Sequence, residues 1–108
     1  YDRKLHTFLD ELQSWPSAFV CASDYVANFV QAYLDNNSHR LPHPVVLTGF
    51  DNTGEYTNVA GRIITANVPT ALLGKRLALQ LLYRSEHPEA PQELTFVKPS
   101  IIIPHIKQ

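Results

Sequence analysis

Apolar positions recur three and four residues apart in three separate stretches of the chain, which predicts three amphipathic helices. The first helix has a stripe made of Leu5, Phe8, Leu9 and Leu12. The second has a stripe made of Val26, Phe29, Val30, Tyr33 and Leu34. The third is predicted to open at Pro69 and Thr70 and to run to about Tyr83. It contains more leucine than one narrow stripe needs, so we expect one side to pack on a sheet and another side to meet a second surface.

Short apolar runs between these helices predict strands at 18–22, 45–50 and 62–68. Two further strand segments are predicted at 94–97 and 100–103, on either side of Pro99. The resulting order is helix, strand, helix, strand, strand, helix, strand. It predicts an α/β fold with a mostly parallel, doubly wound sheet and helices on both faces. A strand would normally lead into the first helix of such a unit, and none precedes it in this sequence.

The composition narrows the class of protein. The chain has 108 residues and a formal net charge of −1, so we expect one small domain over 1–108. No basic cluster is large enough to form a platform for nucleic acid, and no apolar run is long enough to cross a membrane. Cys21 is the sole cysteine and lies in an apolar run, which predicts a buried, unreactive thiol.

Catalytic and metal-binding motifs are missing from the sequence. There is no Gly-x-Ser-x-Gly motif, no phosphate-binding glycine loop and no evident pair of a nucleophile and a base. The histidines show no metal-ligand spacing; they are His6, His39, His43, His87 and His105. We therefore expect a binding protein without a metal or cofactor, and not an enzyme.

Polar residues follow the first two predicted strands, where ligands bind in open α/β sheets. Asp51 comes directly after the apolar run 45–50, and its carboxylate can accept two hydroxyl hydrogen bonds. Asp51 could instead cap a turn, although we favour the ligand role. Ser23 is equally suited to ligand binding and to capping the second helix, whereas Asp24 is better explained by capping or loop bonding. Asn52 and Thr53 could supplement Asp51, but they also favour a turn.

Four motifs appear together in this order. Residues 18–24 read Ala-Phe-Val-Cys-Ala-Ser-Asp, 45–53 read Val-Val-Leu-Thr-Gly-Phe-Asp-Asn-Thr, 63–69 read Ile-Ile-Thr-Ala-Asn-Val-Pro, and 96–103 read Phe-Val-Lys-Pro-Ser-Ile-Ile-Ile. In this order the sequence resembles the effector-binding domain of LacI/GalR-type transcriptional regulators, which has a type I periplasmic-binding-protein fold. The resemblance covers nearly the whole chain and corresponds to the C-terminal lobe of that two-lobed domain.

The resemblance implies a specific function. The chain would be the effector-sensing and dimerisation part of a cytoplasmic homodimer that binds a sugar or similar small metabolite. Operator DNA would be bound by a headpiece that this chain lacks, and the start at Tyr1 rather than Met fits a fragment or processed piece. By resemblance, Asp51 contacts the effector and Ser23 faces the cleft between lobes. Val20 and Tyr25 could offer apolar surface to a sugar ring, although core packing explains Val20 better.

The resemblance also points to a dimer surface. It comprises the face of the second helix with Ala27, Asn28 and Gln31, together with the segment from Tyr56 to Val59. Simple solvent exposure, or cover of the sheet edge, is the alternative for these residues.

Several positions depart from the family pattern and leave the effector's identity open. Val68 replaces a glutamine, Ser23 replaces an asparagine, and Pro104 and His105 lie near the place of a missing arginine. Two other classes of protein stay possible: a periplasmic sugar receptor of an ABC transporter, and an enzyme on a flavodoxin-like sheet. A helix-turn-helix segment or a secretory signal upstream would distinguish the regulator from the receptor.

Overall fold

The helices and strands follow the predicted order. A computed structural model describes residues 2–56 and 59–104, so the interior of the predicted 56–59 contact segment and His105 lie outside the described residues. The helices are α1 (Asp2–Asp10), α2 (Asp24–Asn36) and α3 (Thr70–Glu86), with a 3-10 turn at Ser38–Arg40. The strands are β1 (Ala18–Val20), β2 (Val46–Thr48), β3 (Thr65–Asn67) and β4 (Ser100–Ile102).

The first three strands run parallel to one another. β1 pairs with β2 in parallel, with Phe19 opposite Leu47. Single parallel bridges then join Thr48 to Ile64 and Asp51 to Asn67, so β3 lies beside β2 in the same direction. β4 pairs antiparallel with β3. The carboxyl ends of β1, β2 and β3 therefore meet at one edge, which is the edge that the sequence analysis selected for ligand binding.

The core lies between α1, α2 and β2. Leu9, Ala27, Val30 and Leu47 are each at most 2% exposed. The predicted stripe of α2 accounts for much of this cluster, because Val30, Tyr33 and Leu34 are all buried. The Tyr33 hydroxyl also donates a 2.6 Å hydrogen bond to the Asp10 carboxylate, which ties α2 to the end of α1.

Two side chains that were assigned to the core are exposed. Phe8 is 54% exposed, so the stripe of α1 is narrower than its spacing predicts. Val20 is 89% exposed, and the prediction that it packs in the core is wrong. Val20 ends β1, which pairs with a strand on one side only among the described residues, and neighbouring elements do not cover it.

Helix α3 also departs from the prediction. None of its side chains is buried, and Leu77 and Leu81 are 72% and 71% exposed, so it does not pack on the sheet with one side. The predicted strand at 94–97 is likewise not formed. Thr95 in this segment instead accepts a side-chain hydrogen bond from Gln80 of α3 (3.5 Å). A strand needs backbone partners, and the described chain places no strand beside this segment.

Among the described residues, no helix combines the length and the apolar character that crossing a membrane requires.

Candidate functional site

Backbone hydrogen bonds bring the residues after β1, β2 and β3 to one edge of the sheet. The Asp24 N–H donates to the Phe50 carbonyl (2.9 Å), which joins the start of α2 to the end of β2. The Asp51 N–H donates to the Ala66 carbonyl (3.0 Å), which joins the same place to β3. Asp51 follows β2, and Ser23 follows β1. The structure thus gathers the predicted site residues from two separate parts of the chain.

Asp51 and Asn52 have an unusual backbone. Their φ angles are 103° and 51°, and they are the two non-glycine residues with positive φ in the described part of the chain. Such angles are sterically unfavourable for side chains other than glycine, and they concentrate at functional sites. Strand β2 therefore ends in a strained turn that holds these two polar residues in a fixed geometry.

The Asp51 carboxylate is half-buried, and it accepts no hydrogen bond from a side chain within 2–56 or 59–104. The backbone of Asp51 is bonded on both sides, because its carbonyl accepts from the Val68 N–H (3.4 Å). A carboxylate on an anchored backbone is a hydrogen-bond acceptor that a hydroxyl ligand can use.

Asn67 is a polar residue at this edge that the sequence analysis did not single out. It ends β3, and its side-chain oxygen accepts a 3.0 Å hydrogen bond from the Asn52 amide. The signal was available, because Asn67 ends the third strand as Asp51 and Ser23 follow the other two. An amide pair that lies next to a carboxylate adds donors and acceptors for a polyhydroxylated ligand.

Ser23 adopts the helix-capping geometry that the sequence predicts. Its extended backbone precedes α2, and its hydroxyl oxygen accepts from the Val26 N–H at 3.4 Å. The hydroxyl hydrogen is not used by that bond, since a serine oxygen can accept while its hydrogen is donated elsewhere. Ser23 can therefore cap the helix and still donate to a ligand.

Asp24 is buried and bonded within the chain. It is 5% exposed, and one carboxylate oxygen accepts a 2.8 Å hydrogen bond from the Thr65 hydroxyl in β3. This geometry favours a structural hydrogen bond of Asp24 over direct contact with a ligand. The hydrogen-bond partner is Thr65 in β3 rather than a residue of the nearby loop.

A cavity of about 100 Å³ lies next to the strand ends that carry the candidate site. Its polar lining includes Asp24, Asn52, Thr65 and Tyr56. Burial is the largest of the effects that raise the pKa of the Tyr56 hydroxyl, followed by the charge of Glu55. Tyr56 stays protonated at neutral pH and can act as a hydrogen-bond donor.

The residues predicted to form a dimer surface divide into two groups. Ala27 and Val59 are core residues, 0% and 4% exposed, which leaves their side chains almost no surface for a partner. Gln31 is also buried, and its amide donates to Asp35 at 3.0 Å. Asn28 and Tyr56 are half-buried and retain accessible surface.

Cys21 and the four described histidines are not part of a metal-binding cluster among the residues that the structure describes. Cys21 is buried as predicted, and desolvation raises the pKa of its thiol, which makes it less reactive. In the ranges 2–56 and 59–104, no group of three or more His, Cys, Asp or Glu side chains could hold a metal ion.

Comparison with known proteins gives consistent similarities. Residues 1–104 match the family described as periplasmic binding protein-like domain. The chain is 31% identical over 87 residues to the uncharacterized HTH-type transcriptional regulator YvdE of Bacillus subtilis, a match that includes 81% of the chain. It is 29% identical over 93 residues, or 85% of the chain, to the HTH-type transcriptional repressor PurR of Mannheimia succiniciproducens.

The fold has a solved counterpart. A crystal structure of a LacI family transcriptional regulator from Enterococcus faecium, with bound ribose, superposes with a TM-score of 0.75 at 19% identity. That superposition covers 94% of this chain and 37% of the regulator. The chain spans 28% of the length of each of the two curated relatives.

Proposed function

The chain belongs to the periplasmic binding protein-like domain family, as a LacI-type effector-binding domain. From that premise we propose that it is the C-terminal lobe of the effector-binding domain in a longer transcriptional regulator. The lobe binds a small metabolite at the carboxyl ends of β1, β2 and β3. In the complete lobe we expect the α/β sheet to be doubly wound, with helices on both faces.

One observation carries the ligand assignment: the Asp51 carboxylate is held on a strained turn at the end of β2 and accepts no hydrogen bond from any side chain in the described part of the chain. A carboxylate that can accept two hydroxyl hydrogen bonds favours a sugar or a similar polyol. Ser23 and the Asn52–Asn67 pair add polar groups at the same edge. The E. faecium regulator was crystallised with ribose, a sugar of this chemical class, which supports the assignment.

The mechanism we propose is a population shift. An effector that binds between two lobes favours one relative orientation of the lobes, and it can do so only by the difference in its affinity for the two orientations. That shift changes how two DNA-binding headpieces lie on an operator. DNA contact belongs to a headpiece outside this sequence. The sequence itself has no cluster of basic residues large enough to bind DNA.

The exposed leucines of α3 support the assignment to one lobe of a larger domain. Leu72, Leu73, Leu77, Leu79, Leu81 and Leu82 are each between 39% and 72% exposed. So large an apolar surface marks an interaction site. We propose that the rest of the effector-binding domain covers it.

We also propose that the regulator is a homodimer, in which Asn28 and Tyr56 offer contact surface. Ala27, Gln31 and Val59 support that surface from the core beneath it.

A regulator is favoured over an ABC-transporter receptor, because both curated relatives carry the name of HTH-type regulators. The same relatives favour a regulator over an enzyme on a flavodoxin-like sheet. A cytoplasmic location follows from that assignment and is proposed with it.

The test is an effector dose-response experiment with the intact regulator. Release from operator DNA is measured against a panel of pentoses and hexoses that includes D-ribose. Asp51→Ala should shift the midpoint for the active sugar by at least about tenfold, while operator affinity without sugar is unchanged. Glu89→Ala, which changes an exposed acid in the loop after α3, is the matched control and should leave the curve in place. An Asp51→Ala curve that superposes on the wild-type curve would remove Asp51 from the site.

A further inference from the structure

The carboxylate of Asp24 is the most deeply buried acidic group among the described residues, at 5% exposed. Burial of a carboxylate costs free energy unless hydrogen bonds compensate for the lost water. Here the Thr65 hydroxyl, 41 residues away in sequence, supplies such a bond at 2.8 Å. Asp24 is also the first residue of α2, where the helix dipole favours a negative charge.

Gly49 makes the close approach of Asp24 possible. A β-carbon at position 49 would lie 2.3 Å from the Asp24 carboxylate oxygen and 3.3 Å from its Cα. No side chain other than hydrogen therefore fits at position 49 while Asp24 stays in place. The Gly49 N–H meanwhile donates to the Ile64 carbonyl at 2.8 Å, directly before Thr65.

Asp24 thus joins three elements at one point. Its backbone N–H bonds to the carbonyl of Phe50 at the end of β2, and its side chain bonds to Thr65 in β3. The residues that follow are those of the candidate site: Asp51 comes directly after Phe50, and Asn67 lies two positions after Thr65. The Asp24–Thr65 bond therefore fixes the distance between the ends of β2 and β3 where their polar side chains begin.

We infer that Asp24 is a positioning residue, which holds β3 against the end of β2 so that Asp51 and the Asn52–Asn67 pair keep the geometry of the ligand site. Asp24 acts through Thr65 and Gly49, without contact to the ligand. Its effect on ligand affinity rests on the proposed function, whereas its effect on the strand ends does not.

The test compares four variants of the intact protein with the wild type by hydrogen exchange with mass spectrometry. Thr65→Val removes the donor and keeps the side-chain shape, whereas Thr65→Ser keeps the hydroxyl. Gly49→Ala introduces the clash with Asp24. Gly74→Ala is its matched control, because a β-carbon at Gly74 in α3 meets no atom within 4 Å.

The expected result is local. In Thr65→Val and Gly49→Ala, peptides that cover 47–54 and 63–69 should exchange on the order of tenfold faster, whereas a peptide from 26–34 in α2 should change much less. Thr65→Ser and Gly74→Ala should behave like the wild type. If Gly49→Ala does not fold, the Thr65 pair alone decides the outcome.

Two results would overturn the positioning role. One is a Thr65→Val variant whose three peptides speed up by the same factor, since the bond would then contribute only to global stability. The other is a Thr65→Val variant in which all three peptides exchange at the wild-type rate. Titration with the active sugar, or with D-ribose when none is found, provides the second readout: Thr65→Val should raise the dissociation constant and Thr65→Ser should restore it. If the wild type binds no sugar, the proposed function fails, and the exchange data still decide the role of Asp24.

Discussion

Asp35 and Arg62 form the best-defined ion pair in the described chain, and they connect the end of α2 to the segment before β3. The two terminal guanidinium nitrogens of Arg62, Nη2 and Nη1, donate to the two carboxylate oxygens of Asp35 at 2.8 and 3.0 Å. The Arg62 hydrogen bonds, followed by that of Gln31, lower the pKa of Asp35 below its ordinary 3.8. The pair also holds the chain in place just before β3 begins.

This lowered pKa predicts how stability depends on pH. Because the folded-state pKa lies below the unfolded value, the pair stabilises the fold fully above about pH 4, and the contribution is lost as the pH falls toward the folded-state pKa. Both side chains are nearly half exposed, so the contribution is only roughly 0.2–1 kcal/mol. Asp35→Asn should lower the unfolding free energy at pH 7 by that amount and flatten its decline in acid.

The measurement is urea denaturation of the intact protein between pH 2.5 and 7, with Glu11→Gln as a control at an exposed acid. Part of the acid dependence should remain in Asp35→Asn, because the hydrogen bond from Tyr33 also lowers the pKa of Asp10. An Asp35→Asn curve that coincides with the wild-type curve at every pH would show that the pair contributes nothing.

Residue roles were predictable where the partner is near in sequence. The N-cap at Ser23 follows from a serine before a helical stripe, and the bonded Val26 N–H is three residues away. The bond from Thr65 to Asp24 could not be predicted, because its partners are 41 residues apart and meet only after β3 pairs with the end of β2. The bond between Asn52 and Asn67, 15 positions apart, could not be predicted for the same reason, although the place of Asn67 at the end of β3 was a sequence signal that was missed.

Strands β1 and β2 show how burial differs between neighbours in one sheet. Leu47 in β2 is 1% exposed and belongs to the core cluster with residues of α2, whereas Val20 at the end of β1 is 89% exposed. Both residues are apolar and both occupy apolar runs, so the sequence pattern treats them alike. Their different exposure appears only when the strands are paired and packed against α2.

This contrast predicts unequal effects of shortening each side chain. Leu47→Ala should lower the unfolding free energy by about 2–5 kcal/mol, because it leaves a cavity in the core. Val20→Ala should change it by no more than about 0.5 kcal/mol. Chemical denaturation of the two variants checks both values, and a comparable loss in Val20→Ala would mean that another part of the protein covers Val20.

At the level of elements, the sequence predicted every helix and four of the five strand segments. Helix signals are local, so the apolar stripe of α2 and the Pro69–Thr70 start of α3 were sufficient. The strands came out shorter than predicted, because the pairing register ends each one. The strand predicted at 94–97 failed because a strand also depends on a partner that its own residues do not specify.

The whole molecule is elongated, with extents of 62 × 31 × 20 Å, and its compact part lies around α1, α2 and β2. A groove of about 800 Å³ lies between α3 and the segment 93–98, and it shares no lining residue with the candidate ligand site. The leucine content of α3 predicts that this helix meets a second surface, and in our proposal that surface is the rest of the effector-binding domain.

This proposal predicts that the exposed leucines of α3 are buried in the intact protein. Leu77 and Leu81 lie one turn apart on the same face. Leu77→Lys and Leu81→Lys should each destabilise the intact protein by roughly 1.5–3 kcal/mol, the value of a buried leucine. Thermal unfolding measures this, and Glu89→Lys serves as the control for added charge. Leucine variants that melt with the control would mean that α3 faces solvent in the intact protein.

We propose that a polyhydroxylated effector binds at the strand ends through Asp51. The most direct measurement is a crystal structure of the intact protein with the sugar that releases it from operator DNA. We predict sugar hydroxyl oxygens within about 3.2 Å of the Asp51 carboxylate, with Ser23 or Asn52 on the same molecule. A sugar that is bound elsewhere, with no contact to Asp51, would contradict the account.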